Sequence, residues 1–151
     1  IVGYRQLSND LVLNGLEATL NYFPNSDWNF YLNASILSDS VLDGDIEGAA
    51  TVVEMNTPEF KLGSGFQYTG EGTNWGMTLR YQDSFFANTS FATGQIDGFY
   101  TVGVNAKWDV EAVDGMSVGL SIDNITDVKH REMFLAPELG RFSKIQIGYD
   151  L

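Results

Sequence analysis

Alternation of apolar and polar residues with period two recurs along the whole chain, and it restricts the chain to an all-β fold. Seven segments carry it. In NGLEATLNYF, residues 14–23, Leu16, Ala18, Leu20 and Tyr22 share one parity. In WNFYLNASIL, residues 28–37, Trp28, Phe30, Leu32, Ala34 and Ile36 do so. In EFKLGSGFQY, residues 59–68, the set is Phe60, Leu62, Phe66 and Tyr68. NWGMTLRYQ, residues 74–82, sets Trp75, Met77, Leu79 and Tyr81 against Gly76, Thr78, Arg80 and Gln82. FYTVGVNAKW, residues 99–108, sets Tyr100, Val102, Val104, Ala106 and Trp108 against Thr101, Gly103, Asn105 and Lys107. MSVGLSID, residues 116–123, and SKIQIGYDL, residues 143–151, repeat the rhythm. No helical period competes with it.

The same alternation disposes of a tempting motif. DGDIEGAATVVE, Asp43 to Glu54, has the spacing of an EF-hand calcium loop, with Gly48 at the sixth place and a glutamate at the twelfth. An EF-hand needs a helix on each side, whereas both flanks read as strands. Glu47 also departs from the usual Asp or Asn at the fifth place. From Asp39 to Glu59 run six acids, Asp39, Asp43, Asp45, Glu47, Glu54 and Glu59, without a Lys or Arg. The expectation is a solvated acidic loop with weak calcium affinity at most.

Alternation alone does not separate a two-sheet sandwich from a membrane barrel, because both have one apolar and one polar face. Three features favour the barrel. Connections alternate short (24–27, 70–73, 111–115) and long (38–58, 83–98, 124–140), as barrel turns and outer loops do. Aromatics gather at the strand ends. Trp28, Trp75, Trp108, Tyr22, Tyr68 and Tyr149 lie toward the short turns, and Phe60, Tyr81 and Tyr100 toward the long connections. Amphipathic rings at two membrane interfaces take such positions. Finally, each apolar face runs about nine residues, near the ~9–11 that a tilted strand needs to cross hydrocarbon.

Composition excludes other classes. With 151 residues the chain suffices for one domain, and a net charge of −12 argues against nucleic acid. The absence of cysteine excludes disulfides and thiolate metal sites. No apolar run is long enough for a transmembrane helix. The chain opens at Ile1 without an initiator Met or a signal peptide, as an excised piece of something longer would.

Several ordered motifs resemble the C-terminal part of the β-barrel of TonB-dependent outer-membrane receptors. Tyr4, Arg5, Gly15, Leu16 and Glu17 resemble the entry to a late barrel strand. Asn56, Pro58 and Lys61 resemble an Asn-x-Pro-x-x-Lys segment, and Arg80, Tyr81, Gly94, Ile96 and Tyr100 an Arg-Tyr hairpin with Gly-x-Ile and a following Tyr. Asn124 and Asp127 match an Asn-Leu-Phe-Asp signature in which Ile125 and Thr126 replace Leu-Phe. Pro137, Gly140 and Arg141 resemble the final Pro-x-x-Gly-Arg strand, with Leu151 where a Phe is usual.

The resemblance implies that residues 1–151 hold about the last seven strands of an antiparallel transmembrane barrel of 22 strands, without the plug domain. Residues 1–7 would end an eighth strand or its loop. It implies active uptake of a siderophore, vitamin or glycan in a Gram-negative outer membrane, with long loops extracellular and short turns and C-terminus periplasmic. Its expected partners are outer-membrane lipid, the rest of the barrel, the plug, TonB through the missing N-terminal region, and a small-molecule or oligosaccharide substrate. A small standalone outer-membrane barrel, as adhesin or structural protein, and a soluble β-sandwich binding module are the alternatives.

No catalytic set, cofactor or metal site is expected. The lone His130 beside Arg131 makes no triad and reads as a solvated loop residue. Phe85, Phe86 and Phe91 are either an exposed aromatic binding cluster or loop packing, the latter slightly favoured. His130, Arg131 and these three rings are the candidate ligand contacts. Asp83, Asp123 and Asp127 are expected to accept backbone N–H bonds. Arg80, Lys107 and Lys144 should pair with acids across the wall or on a plug. Val104, Leu120 and Ile147 should face lipid, and Asn105, Ser121 and Gln146 a hydrated lumen.

Overall fold

The computed structural model describes residues 10, 12–46, 48–89 and 92–150. Eleven strands follow one another: β1 (Gly15–Asn25), β2 (Trp28–Leu37), β3 (Val41–Ile46), β4 (Ala49–Glu54), β5 (Phe60–Gly70), β6 (Thr73–Gln82), β7 (Phe85–Asn88), β8 (Thr93–Ile96), β9 (Phe99–Asp109), β10 (Met116–Asp123) and β11 (Phe142–Tyr149). Seven of them form one antiparallel sheet in the order β1-β2-β5-β6-β9-β10-β11, and the seven expected strands are these. The other four are two hairpins, β3–β4 and β7–β8, inside the first two long connections. Both regions were expected to be loops. They pair because Val41–Ile46 and Ala49–Glu54 carry β-branched residues about a tight turn at Gly48, whose φ is +81°.

From β2 to β11 the register keeps the two faces apart, and β1 follows it as far as Tyr22. One row runs Trp28, Tyr68, Trp75, Ala106, Leu120, Ile145. The adjacent row on the other face runs Asn29, Gln67, Gly76, Asn105, Ser121, Lys144. A slip of one residue in any pairing would mix these rows. Val104, Leu120 and Ile147 therefore share the apolar face, and Asn105, Ser121 and Gln146 the polar one.

The apolar face is uncovered. Leu20, Leu32, Ile36, Trp75, Met77, Trp108, Leu120, Ile145 and Ile147 are all exposed. A β-sandwich would bury this face against a second sheet, and among the described residues no such sheet lies on it. Its rings cluster on β2, β5 and β6. Trp28 stacks on Phe30 at 5.6 Å between ring centroids and meets Trp75 edge-on at 5.4 Å, and Phe66 meets Trp75 edge-on at 5.6 Å. Such pairs contribute about 0.5–1.5 kcal/mol each beyond area burial.

Local chemistry sets the short turns. Pro24 lacks an N–H, so it cannot join the β1–β2 ladder, and the register shifts by one residue between Tyr22 and Asn25 as a bulge. Asn25 Oδ1 then accepts the Asp27 and Trp28 amides at 2.9 and 3.2 Å, closing the turn. On the polar face the Tyr31 ring lies over Gly65 and leaves no room there for a Cβ.

The buried apolar core lies among the long connections. Phe85, Ala87 and Ile96 form it, with Phe134 of the third connection packed against them. The expectations at residues 1–7, Glu47, Phe91 and Leu151 fall outside the described residues.

Candidate functional site

The third long connection folds back over the polar face of β6 and β9. Its start is fixed by Asn124 and Asp127, both with φ of +56°, a conformation that Asn and Asp tolerate best after glycine. Asn124 is buried, and its side chain acts as a surrogate backbone: Nδ2 donates to Val128 O at 2.8 Å, and Oδ1 accepts Val128 N at 3.1 Å. Asp127 Oδ1 accepts the Arg141 amide at 2.7 Å and Lys129 Nζ at 3.0 Å, tying the two ends of the connection together. The Arg141 amide, with Lys129 beside it, holds the Asp127 carboxyl below the ordinary aspartate value. His130 and Leu139 exchange backbone hydrogen bonds at 3.1 and 2.8 Å, closing the connection as a short ladder.

This arrangement carries His130 onto the sheet. Its ring lies 4.0 Å from that of Phe99, and Nδ1 stands 3.0 Å from Val128 O. His130 is only 9% exposed, so it is a packed residue and not a solvated one. Phe99 stands on the polar parity of β9, opposite Gln82, and would face water without this cover. Arg80 lies over the Phe99 ring at 5.9 Å, within cation–π range, and pairs with Glu132 at 3.0 Å. Glu132 is also 3.8 Å from His130 Nε2. Arg80 thus takes its partner from the loop and not from an acid across the wall.

Thr78, Arg80, Thr101, Asn124, His130 and Glu132 help line a cavity of about 280 Å³. A second, wider trough of about 470 Å³ runs along the polar face of β9–β11, with Lys107 and Lys144 among its walls and Asp150 at its margin. Neither lysine forms an ion pair among the described residues. Together the two hollows make a polar surface with hydroxyl, amide, cationic and aromatic groups but no nucleophile–base pair. That set can hold a polar or anionic molecule by hydrogen bonds and charge.

The expected ligand-contact residues are dispersed. His130 enters the cavity, whereas its neighbour Arg131 is exposed and pairs with Glu138 at 3.3 Å. Phe85 is buried in the hairpin core, and Phe86 on the opposite face is exposed, so these two rings do not share one surface. Asp83 accepts the Tyr81 hydroxyl. Sequence reasoning missed Glu132, Phe134 and Phe99. Phe99 alone left a signal: a large aromatic on the polar parity beside Arg80 requires something to cover it.

The acidic motif is drawn out by its hairpin. Glu54 lies opposite Val41, four residues from Asp45. At ~3.4 Å per residue the two are about 14 Å apart along the strand, while calcium ligands lie at ~2.3–2.6 Å from the ion. Glu54 Oε2 accepts Asn88 Nδ2 at 2.9 Å, and Asp45 Oδ1 accepts the Gly48 amide at 2.8 Å. The same clasp joins the hairpins: Asn56 Oδ1 accepts the Asn88 amide at 2.6 Å, and its Nδ2 donates to Asn88 O at 3.1 Å.

A family model described as TonB dependent receptor-like, beta-barrel, matches residues 2–125. No curated protein and no solved structure matches the chain.

Proposed function

The chain belongs to the TonB dependent receptor-like β-barrel family, transport receptors of the Gram-negative outer membrane, and we propose that it forms the C-terminal wall of such a barrel. The observation that carries this reading is the register, continuous but for the bulge beside the β1–β2 turn, which leaves an apolar face exposed across seven strands and a polar face behind it. Water penalises that apolar surface, and hydrocarbon does not. The sheet order ends in β1 and β11, and unpaired strand edges are costly in hydrocarbon. Further strands of a larger, 22-stranded barrel satisfy them, with a plug inside. A small standalone barrel would instead pair β1 with β11.

In this reading the short turns are periplasmic and the hairpins β3–β4 and β7–β8 extracellular. The exposed rings of Tyr22, Trp75, Trp108 and Tyr149 sit at the inner interface, with Trp28 and Tyr68 beside them. The polar face lines a hydrated lumen, where the His130 cavity and the trough between Lys107 and Lys144 meet the substrate. The substrate is a scarce nutrient, whether siderophore, vitamin or glycan, and TonB supplies the energy through a segment outside these residues.

Growth of a deletion strain on iron chelates, cobalamin and glycans tests this. A defect confined to one nutrient class, reproduced by deleting TonB, is expected. Normal growth on all of them, or a defect independent of TonB, contradicts it.

A further inference from the structure

The three long connections interlock, and a buried ring contact and an exposed ion pair anchor them to the wall. Hairpin β3–β4 holds β7 through Glu54 and Asn56 on Asn88. Hairpin β7–β8 receives Phe134 of the third connection, whose ring lies so close over Gly94 that no Cβ fits there. The third connection reaches the sheet at His130 on Phe99 and Glu132 on Arg80. Of these anchors, the His130–Phe99 contact is buried, whereas Arg80 and Glu132 keep 57% and 41% of their side-chain surface exposed. The Arg80–Glu132 pair is the contact that a solute can reach.

Arg80 borders the cavity beside Thr78 and Thr101, whose hydroxyls can donate to a further oxygen. A guanidinium offers five donors, and one Glu132 oxygen at 3.0 Å occupies part of that fork. A carboxylate, phosphate or similar oxyanion has the geometry to take the same donors in bidentate fashion. Glu132 has the same chemistry as such a ligand but is tethered to the loop.

We propose that Glu132 is an internal carboxylate that occupies Arg80 in the ligand-free receptor, and that an oxyanion group of the transported molecule displaces it, loosening residues 124–141 on the sheet and, through Phe134, hairpin β7–β8. The inference rests on the transport reading and narrows its substrate to a molecule bearing an oxyanion. Displacement costs the ligand the Arg80–Glu132 interaction, so removing the Glu132 charge strengthens binding, and removing the Arg80 charge abolishes it. A merely structural ion pair predicts the same direction for both changes.

The test uses the full receptor in detergent, with citrate as probe and glucose as neutral control, read by calorimetry and by hydrogen exchange. Glu132→Gln should bind citrate about two- to fivefold more tightly than the native protein, the equivalent of an exposed ion pair. Arg80→Gln should lose binding, and Asp114→Asn, in the β9–β10 turn, should keep it. Citrate should speed exchange at residues 124–141 and in β7–β8 of the native protein but not of Arg80→Gln. Retained heat-modifiable migration shows that each variant is folded. Equal affinities in all variants, or weaker binding in Glu132→Gln, overturn the proposal. Failure of the transport reading is separate: it appears as TonB-independent growth, whatever citrate does.

Discussion

Asn124 and Asp127 show how two residues commit eighteen. Each adopts a left-handed backbone, and each replaces missing ladder bonds with its own side chain. The Asn-x-x-Asp pair was visible in the sequence as a resemblance, but its work was not, because the bonds reach Val128 and Arg141. Replacing Asn124 with Ala should cost ~1–3 kcal/mol, since two bonds to Val128 are lost at a buried position. Thermal melting of the receptor, together with local exchange at Val128, measures it. Asp127 confers a pH dependence of known sign. Its carboxyl is held below the ordinary value, so its contribution is complete above the ordinary aspartate pKa and is lost as pH falls through the lowered one. Exchange at the Arg141 amide should therefore quicken on acidification, and Asp127→Asn should flatten that response. Gly94→Ala should expel Phe134 and double or more the exchange rate in β7–β8, while the seven-stranded sheet stays unchanged.

At the scale of elements, the seven sheet strands were legible because each alternates apolar and polar residues in a long, regular run. The two small hairpins were not. Each has strands of only six or four residues, and their stability comes from contacts distant in sequence, Asn56 on Asn88 and Phe134 over Gly94. Likewise His130 read as solvated because its cover partner, Phe99, lies thirty-one positions away. The acids of DGDIEGAATVVE have loop-like spacing, but an extended hairpin separates them. Calcium titrated into the full receptor should accordingly show no micromolar binding that Asp45→Ala abolishes. Orientation has its own test, made simple by the absence of cysteine in this chain. In intact cells, a membrane-impermeant maleimide should label Thr51→Cys and leave Asp114→Cys unlabelled, in a receptor otherwise free of cysteine. The reverse pattern would invert the proposed topology.

The whole sheet makes the strongest statement, because its faces stay separate through six successive pairings. An apolar surface of that extent is untenable in water and suited to hydrocarbon. An Arg at Val104 should cost ~2–4 kcal/mol if that position lies near the bilayer midplane, and an Arg at Asn105 much less. Nitroxide labels at these two neighbours, in the receptor reconstituted into bilayers, report the partition directly. The account predicts that the label at Val104 is relaxed by oxygen and shielded from a water-soluble nickel complex, and that the label at Asn105 shows the opposite. Equal access of the nickel complex to both positions would contradict it.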